Sequence, residues 1–97
     1  MGLIFHRLVQ KDVRAVLRYY EEAGGPPLAD RFFAELDRLV GQIESQPRKF
    51  HVLAQGLRRA NMARFPYHPL FREAPAGVRI LVLRHHQRHP RFGLDRK

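Results

Sequence analysis

The side chains able to do chemistry crowd into the second half of this sequence. Residues 48–97 hold 12 Lys or Arg and 2 Asp or Glu, whereas residues 1–47 hold 6 and 7. Within the basic half lie Arg58-Arg59, Arg64, His68, and the run Arg84-His85-His86, followed by Arg88, His89 and Arg91. Guanidinium groups contact phosphates and carboxylates, and imidazole titrates near neutrality, so His68, His85 and His86 are candidate acids or bases. Alternation along a strand puts Arg58 and Arg59 on opposite faces, so at most one of them looks at a given site. Arg64 is either a phosphate contact or a partner for Glu73 across a hairpin. His85 ends an apolar strand and has the plainer reading of a hydrogen-bonded structural residue. Tyr67 and Phe71 share a face and read as core rather than as a base-stacking platform, and Tyr19 and Tyr20 read as packing. His85 and His89 stand four apart, a spacing that can hold zinc on a helix. Pro90 follows at once and no cysteine or clustered carboxylate is near, so no metal and no cofactor are expected.

The scaffold that must position these groups is small. A chain of 97 residues supports one core and one domain, expected over 1–97. It excludes a two-domain enzyme, a doubly wound nucleotide fold or an eight-stranded α/β barrel, which needs about 250 residues. The net charge of +9 and its confinement to the second half point to an anionic partner: nucleic acid, an acidic protein or an acidic surface. Coding bias accounts for the excess of Arg over Lys but not for the near-disappearance of acids after Glu44. With no cysteine, disulfides and thiolate metal sites are excluded and the core must suffice. The longest apolar run, Ile80–Leu83, is far short of a membrane span of about 20 residues, and the first residues are too short for a signal-peptide core. A cytoplasmic protein without membrane contact is expected.

Periodicity supplies the elements. Residues 3–8 alternate as a short strand. Val13, Val16, Leu17 and Tyr20 mark one stripe of a helix over about 10–23, ended by Gly24-Gly25. Pro26-Pro27 open a second helix to about residue 46, with Phe32, Leu36, Leu39 and Ile43 as its stripe and Pro47 as its stop. The short link makes the two a helical hairpin. Strands are then expected over 57–65, 67–73 and 78–85, the last buried on both faces and central. Pro69 lacks an N–H for the ladder, so either residues 67–71 form an edge on its side or a bulge sits there, and a local break is expected. The tail from about 86 to 97 is basic and irregular. The fold class is therefore α+β, order β-α-α-β-β-β, a helical hairpin packed on one face of a mostly antiparallel twisted sheet.

The ordered set Gly56-Leu57-Arg58-Arg59, Phe65-Pro66-Tyr67, Leu81–His85, Arg88 and Pro90 resembles the RelE/ParE superfamily of toxins from type II toxin–antitoxin pairs, in its ParE-like, plasmid-stabilisation branch. The first half agrees, with Lys11-Asp12 at a helix start and Tyr19-Tyr20 late in it. The resemblance covers essentially the whole chain and implies a small growth-inhibiting toxin held inactive by a cognate antitoxin with an acidic segment. ParE-like members bind DNA gyrase; RelE-like members are ribosome-dependent mRNA endonucleases. RNA cleavage needs a base for the 2′-OH, a stabilised phosphorane and a proton for the leaving oxygen. Where the nuclease branch places Arg, Arg and Tyr, this chain has His68, His86 and Phe92, which favours the gyrase-binding branch. In the nuclease alternative the catalytic candidates are Arg59, His68, His85 and Arg88. The residues expected to bind target or antitoxin are Arg58, Arg59, Arg64, Arg84, His85, His86, Arg88 and Arg91. A third reading is a basic nucleic-acid-binding module or an inactive relic toxin.

Overall fold

The computed structural model describes residues 2–97. Strand β1 (Gly2–Phe5) leads into helix α1 (Val9–Gly24), then helix α2 (Pro26–Ser45), a 3-10 turn (Pro47–Lys49), and strands β2 (His51–Ala54), β3 (Leu57–Arg59), β4 (Tyr67–Ala74) and β5 (Gly77–His85). The five strands form one sheet in the order β1-β5-β4-β3-β2, in which only the β1–β5 pair is parallel. This is the expected α+β hairpin-on-sheet architecture. It carries one strand more than periodicity predicted, because all four residues of β2 are exposed and an exposed edge leaves no buried alternation to read.

The helical stripes do what their spacing implies. Gly25 takes φ +82 between the two helices and donates its N–H to the Glu21 carbonyl, so α1 ends there and α2 begins at once with Pro26. Val16 of α1 and Phe32, Leu36, Leu39 and Ile43 of α2 pack on Phe71, Val78, Ile80 and Leu83 of the sheet. Full burial of a side chain such as Phe32 or Phe71 is worth about 2–3 kcal/mol.

The opposite face of the sheet has its own core of Leu57, Leu70, Leu81 and Val82, closed by Phe92 of the tail. The apolar run 80–83 serves both cores through a bulge. The register shifts between Leu70 and Phe71 of β4, whose partners are Val82 and Ile80, and Leu81 is the extra residue. Leu81 and Val82 thereby share the outer face, while Ile80 and Leu83 face the helices. The tail follows a turn-rich course but is docked. Gly93, at φ +83, lies so close to the sheet that a Cβ there would sit 2.8 Å from Val82.

Three local expectations are corrected. The strand expected over 57–65 ends at Arg59, and residues 60–66 form a connection. The break expected at Pro69 does not fall on the proline itself, which pairs with Leu83 within a continuous β4, but one residue on, at the bulge between Leu70 and Phe71. The Pro69 carbonyl accepts from the Ala60 N–H, and in a strand the nitrogen and carbonyl of one residue point the same way. The missing N–H therefore faces the side on which β3 has already ended. Finally, Glu73 is held by Arg48 at 3.2 Å, not by Arg64.

Candidate functional site

Two clusters of candidate residues stand on opposite faces of the sheet. On the outer face, β3 contributes Arg59, β4 contributes His68, and β5 contributes Arg84 and leads into His86. Arg84 Nε donates to His68 Nε2 at 3.0 Å, and Arg84 also reaches the Pro90 carbonyl. His68 Nδ1 lies 2.9 Å from His86 Nδ1, and Arg59 Nη2 lies 3.3 Å from the same His86 atom. The two imidazole planes are 15° apart with centroids separated by 5.1 Å. With the short N···N contact, that places the rings edge to edge in nearly one plane, the arrangement of a hydrogen bond rather than a stack.

This bonding assigns the protons. Arginine only donates, so Nε2 of His68 is the acceptor and the proton of the neutral ring is on Nδ1. It is donated to His86 Nδ1, which leaves the proton of the exposed His86 on Nε2. The chain Arg84→His68→His86 works only with both rings neutral. His68 has no exposed surface. Burial first, then the charges of Arg59 and Arg84, push its pKa down to about 3. Burial and Arg59 likewise lower that of His86. Arg84 is itself 5 % exposed, and burial and Arg59 pull it below the usual guanidinium value. Among the described residues no carboxylate bonds to any member of this network, so two guanidinium groups share only neutral acceptors.

The second cluster lies on the helix side, at the end of the sheet. His85 packs edge-on against Tyr67, centroids 4.9 Å apart, and its Nδ1 accepts the Gln87 N–H. Arg88 sits over the Phe92 ring at 4.0 Å. Together with Lys11 and Tyr19 of α1 they line a cleft of about 490 Å³ between α1 and the tail. Its base is the pair Asp12–Arg96, in which Arg96 donates to both carboxylate oxygens at 2.6 and 3.0 Å.

The remaining candidates serve elsewhere. Arg58 turns to the helix side and donates to the carbonyls of Arg48 and Phe50, so it ties the 3-10 turn to β3. Arg64 lines a groove of about 810 Å³ between α2 and residues 61–65, floored by Leu28, Leu39, Met62 and Phe65. There the Glu35 carboxylate accepts the N–H groups of Ala63 and Arg64 at 2.6 and 3.2 Å. Arg91 is exposed on the tail, its N–H bonded to His89 Nδ1. Thus Arg59, His68, Arg84 and His86 come together, His85 and Arg88 form a separate pair, and Arg58, Arg64 and Arg91 join neither. Sequence reasoning did not single out Asp12 or Arg96 for the cleft, nor Glu35 for the groove. Asp12 carried a signal as an acid at a helix start; nothing in the spacing marks Arg96 as its partner.

Among the described residues no group of three His, Cys, Asp or Glu side chains is placed to hold a metal ion. No described helix is long and apolar enough to cross a membrane.

The model of the family described as the ParE toxin of the type II toxin–antitoxin system parDE matches residues 3–90. Among solved structures, a chain of the chromosomal ParDE TA system from P. aeruginosa superposes with a TM-score of 0.78 at 20 % identity, covering 88 % of this chain and 95 % of that one. At that identity the likeness establishes the fold. No curated protein matches significantly.

Proposed function

Since the chain belongs to the ParE toxin family of type II toxin–antitoxin systems, we propose that it arrests growth by binding its target, DNA gyrase, in the cytoplasm, and that an antitoxin with an acidic segment neutralises it. One observation carries the choice of binding over RNA cleavage. The four residues that a nuclease would use are divided between the two faces of the sheet, Arg59 and His68 on one, His85 and Arg88 on the other. A phosphoryl transfer needs its acid, base and charge stabiliser around one phosphate. His68 is further unsuited to proton transfer, because it is buried and both of its nitrogens are engaged.

The groove beside α2 supports the antitoxin half of the reading. Its apolar floor is bordered by Arg31, Arg38 and Arg64, a pattern that suits an amphipathic acidic segment folding as it binds. The half-buried Arg59 and the exposed Arg88 and Arg91 remain as cations for the target, with the neutral ring of His86 beside Arg59. The test is expression without antitoxin, followed by assay of the purified chain. Growth arrest with inhibited gyrase supercoiling and intact mRNA supports the proposal. Ribosome-dependent mRNA cleavage that is lost in His85→Ala, with normal supercoiling, supports the endonuclease instead. Harmless expression of soluble protein supports an inactive relic.

A further inference from the structure

The cleft between α1 and the tail has the make-up of a small-molecule site. Its volume of about 490 Å³ lies within the usual range for such pockets. Tyr19 stands on one side with 61 % of its surface exposed, although the neighbouring Tyr20 is packed among Phe32, Phe65 and Tyr67. Tyr67 and His85 form another side, fixed edge to face. Lys11 and Arg88 are exposed cations, and neither is in an ion pair with a described carboxylate. Asp12, the one acid of the cleft, is fully occupied by Arg96 and the Leu83 N–H. The lining therefore offers aromatic faces and two free cations but no free acidic acceptor.

We infer that this cleft binds a nucleoside phosphate, with the base against Tyr19 and the Tyr67–His85 pair and the phosphate at Lys11 and Arg88. Aromatic side chains take a nucleobase whatever its sequence, since every base has a π-face. Phosphate is the anion that two unpaired cations would hold without a hydrogen-bonded partner of their own. An acidic peptide would satisfy the cations but leave the exposed Tyr19 ring without a flat partner. Arg88 is held ready by its position over Phe92, and the Asp12–Arg96 pair fixes the tail that carries both. The site shares Arg88 with the target reading but uses neither the outer face nor the α2 groove, and AMP binding is read independently of gyrase inhibition.

The test is a titration of the intact protein with AMP, adenosine and inorganic phosphate, followed by NMR of the tyrosine and histidine side chains. AMP is expected to shift Tyr19, Tyr67 and His85 saturably, with adenosine and phosphate each about tenfold weaker. Arg88→Gln and Tyr19→Ala should each weaken AMP by about tenfold, whereas Lys49→Gln, which removes a cation from the 3-10 turn, should not. Circular dichroism of each variant checks that the fold is retained. A short adenylate oligonucleotide tests the other source of the same chemistry and is expected to bind no more tightly than AMP. The inference is overturned by equal responses to AMP and phosphate, by shifts confined to His68 and His86 of the outer face, by oligonucleotide affinity that grows with length, or by no saturable shift.

Discussion

Arg96 places both terminal nitrogens on the carboxylate of Asp12, a residue 84 positions earlier. The pair completes the sheet where β1 gives out. Beyond the last β1 partner, Ile80, the edge of β5 would expose bare ladder groups. Instead the His6 N–H bonds to the Ile80 carbonyl, Arg96 takes the Leu81 carbonyl at 3.0 Å, and Asp12 takes the Leu83 N–H at 3.1 Å. The side chains are only 10 % and 9 % exposed, so removing one leaves the other charged and nearly dry. Arg96→Ala and Asp12→Ala should each cost about 3 kcal/mol, and the double variant clearly less than their sum. Urea unfolding measures the cycle. Hydrogen exchange of residues 88–96 should accelerate in all three variants, and protection equal to the parent would show that the tail is held by Phe92 alone.

The start of β5 depends on the absence of a side chain at Gly77. Its φ is +141, and a Cβ built there would sit 2.0 Å from the Gly2 carbonyl oxygen of the parallel partner strand. Backbone is at fault on both sides, so nothing can rotate away. Gly77→Ala should lose β1 pairing and destabilise by about 3 kcal/mol or more. Gly56→Ala is the control: φ is +79 but nothing lies within 4 Å of the added methyl, and the cost should be about 1 kcal/mol. Thermal unfolding of the two variants side by side checks the contrast.

Much of this fold was legible because burial imposed a period. The helices followed from the 3.6-residue stripes, from Gly24-Gly25 and from the two prolines. The central place of residues 78–85 followed from an apolar run too long for one face. What escaped was held by contacts with no local pattern. All four residues of β2 are exposed, so it shows no alternation of buried and exposed positions. Pairing of β1 with β5 joins the two ends of the chain. Arg59 and Arg58 did diverge to opposite faces as adjacency demands, but which one would meet His86 depended on the bulge and tail. Arg64 lost Glu73 to Arg48, which reaches it from the 3-10 turn. The outer histidine pair was visible as residues, not as a network, since its short N···N contact joins positions 68 and 86.

That histidine pair makes stability depend on pH. His68 is neutral in the fold, with its pKa pushed down to about 3 from an ordinary value of 6.5, by burial above all. The unfolded chain therefore binds the extra proton between these values and the folded chain does not. Stability rises with pH across that window, is fully present above about pH 6.5, and is lost progressively as the pH falls toward 3. The slope from this one group approaches about 1.4 kcal/mol per pH unit. His6 and His86 have lowered pKa values too, with burial as the first cause, and add in the same direction. Urea midpoints through the acid range should fall accordingly, and His68→Gln should flatten the dependence. An unchanged slope in that variant would move the effect to the other histidines.

The groove beside α2 gives the antitoxin reading its most direct check. Arg31, Arg38 and Arg64 surround its apolar floor, and Glu35 spends its carboxylate on the N–H groups of Ala63 and Arg64. Oε2 of the acid thereby shapes the groove wall, and its charge is outnumbered by the three arginines around the floor. Binding of the cognate antitoxin should weaken as salt rises, because exposed charges are screened beyond about 10 Å at 0.1 M ionic strength. Arg64→Glu should lower affinity about tenfold or more, chiefly through the association rate, and the loss should shrink in high salt. Glu35→Ala should instead raise the dissociation rate, because residues 61–65 lose the contact that fixes them. Stopped-flow association and calorimetry with the purified antitoxin separate the two effects. Affinity that ignores both salt and Arg64→Glu would place the antitoxin on another surface.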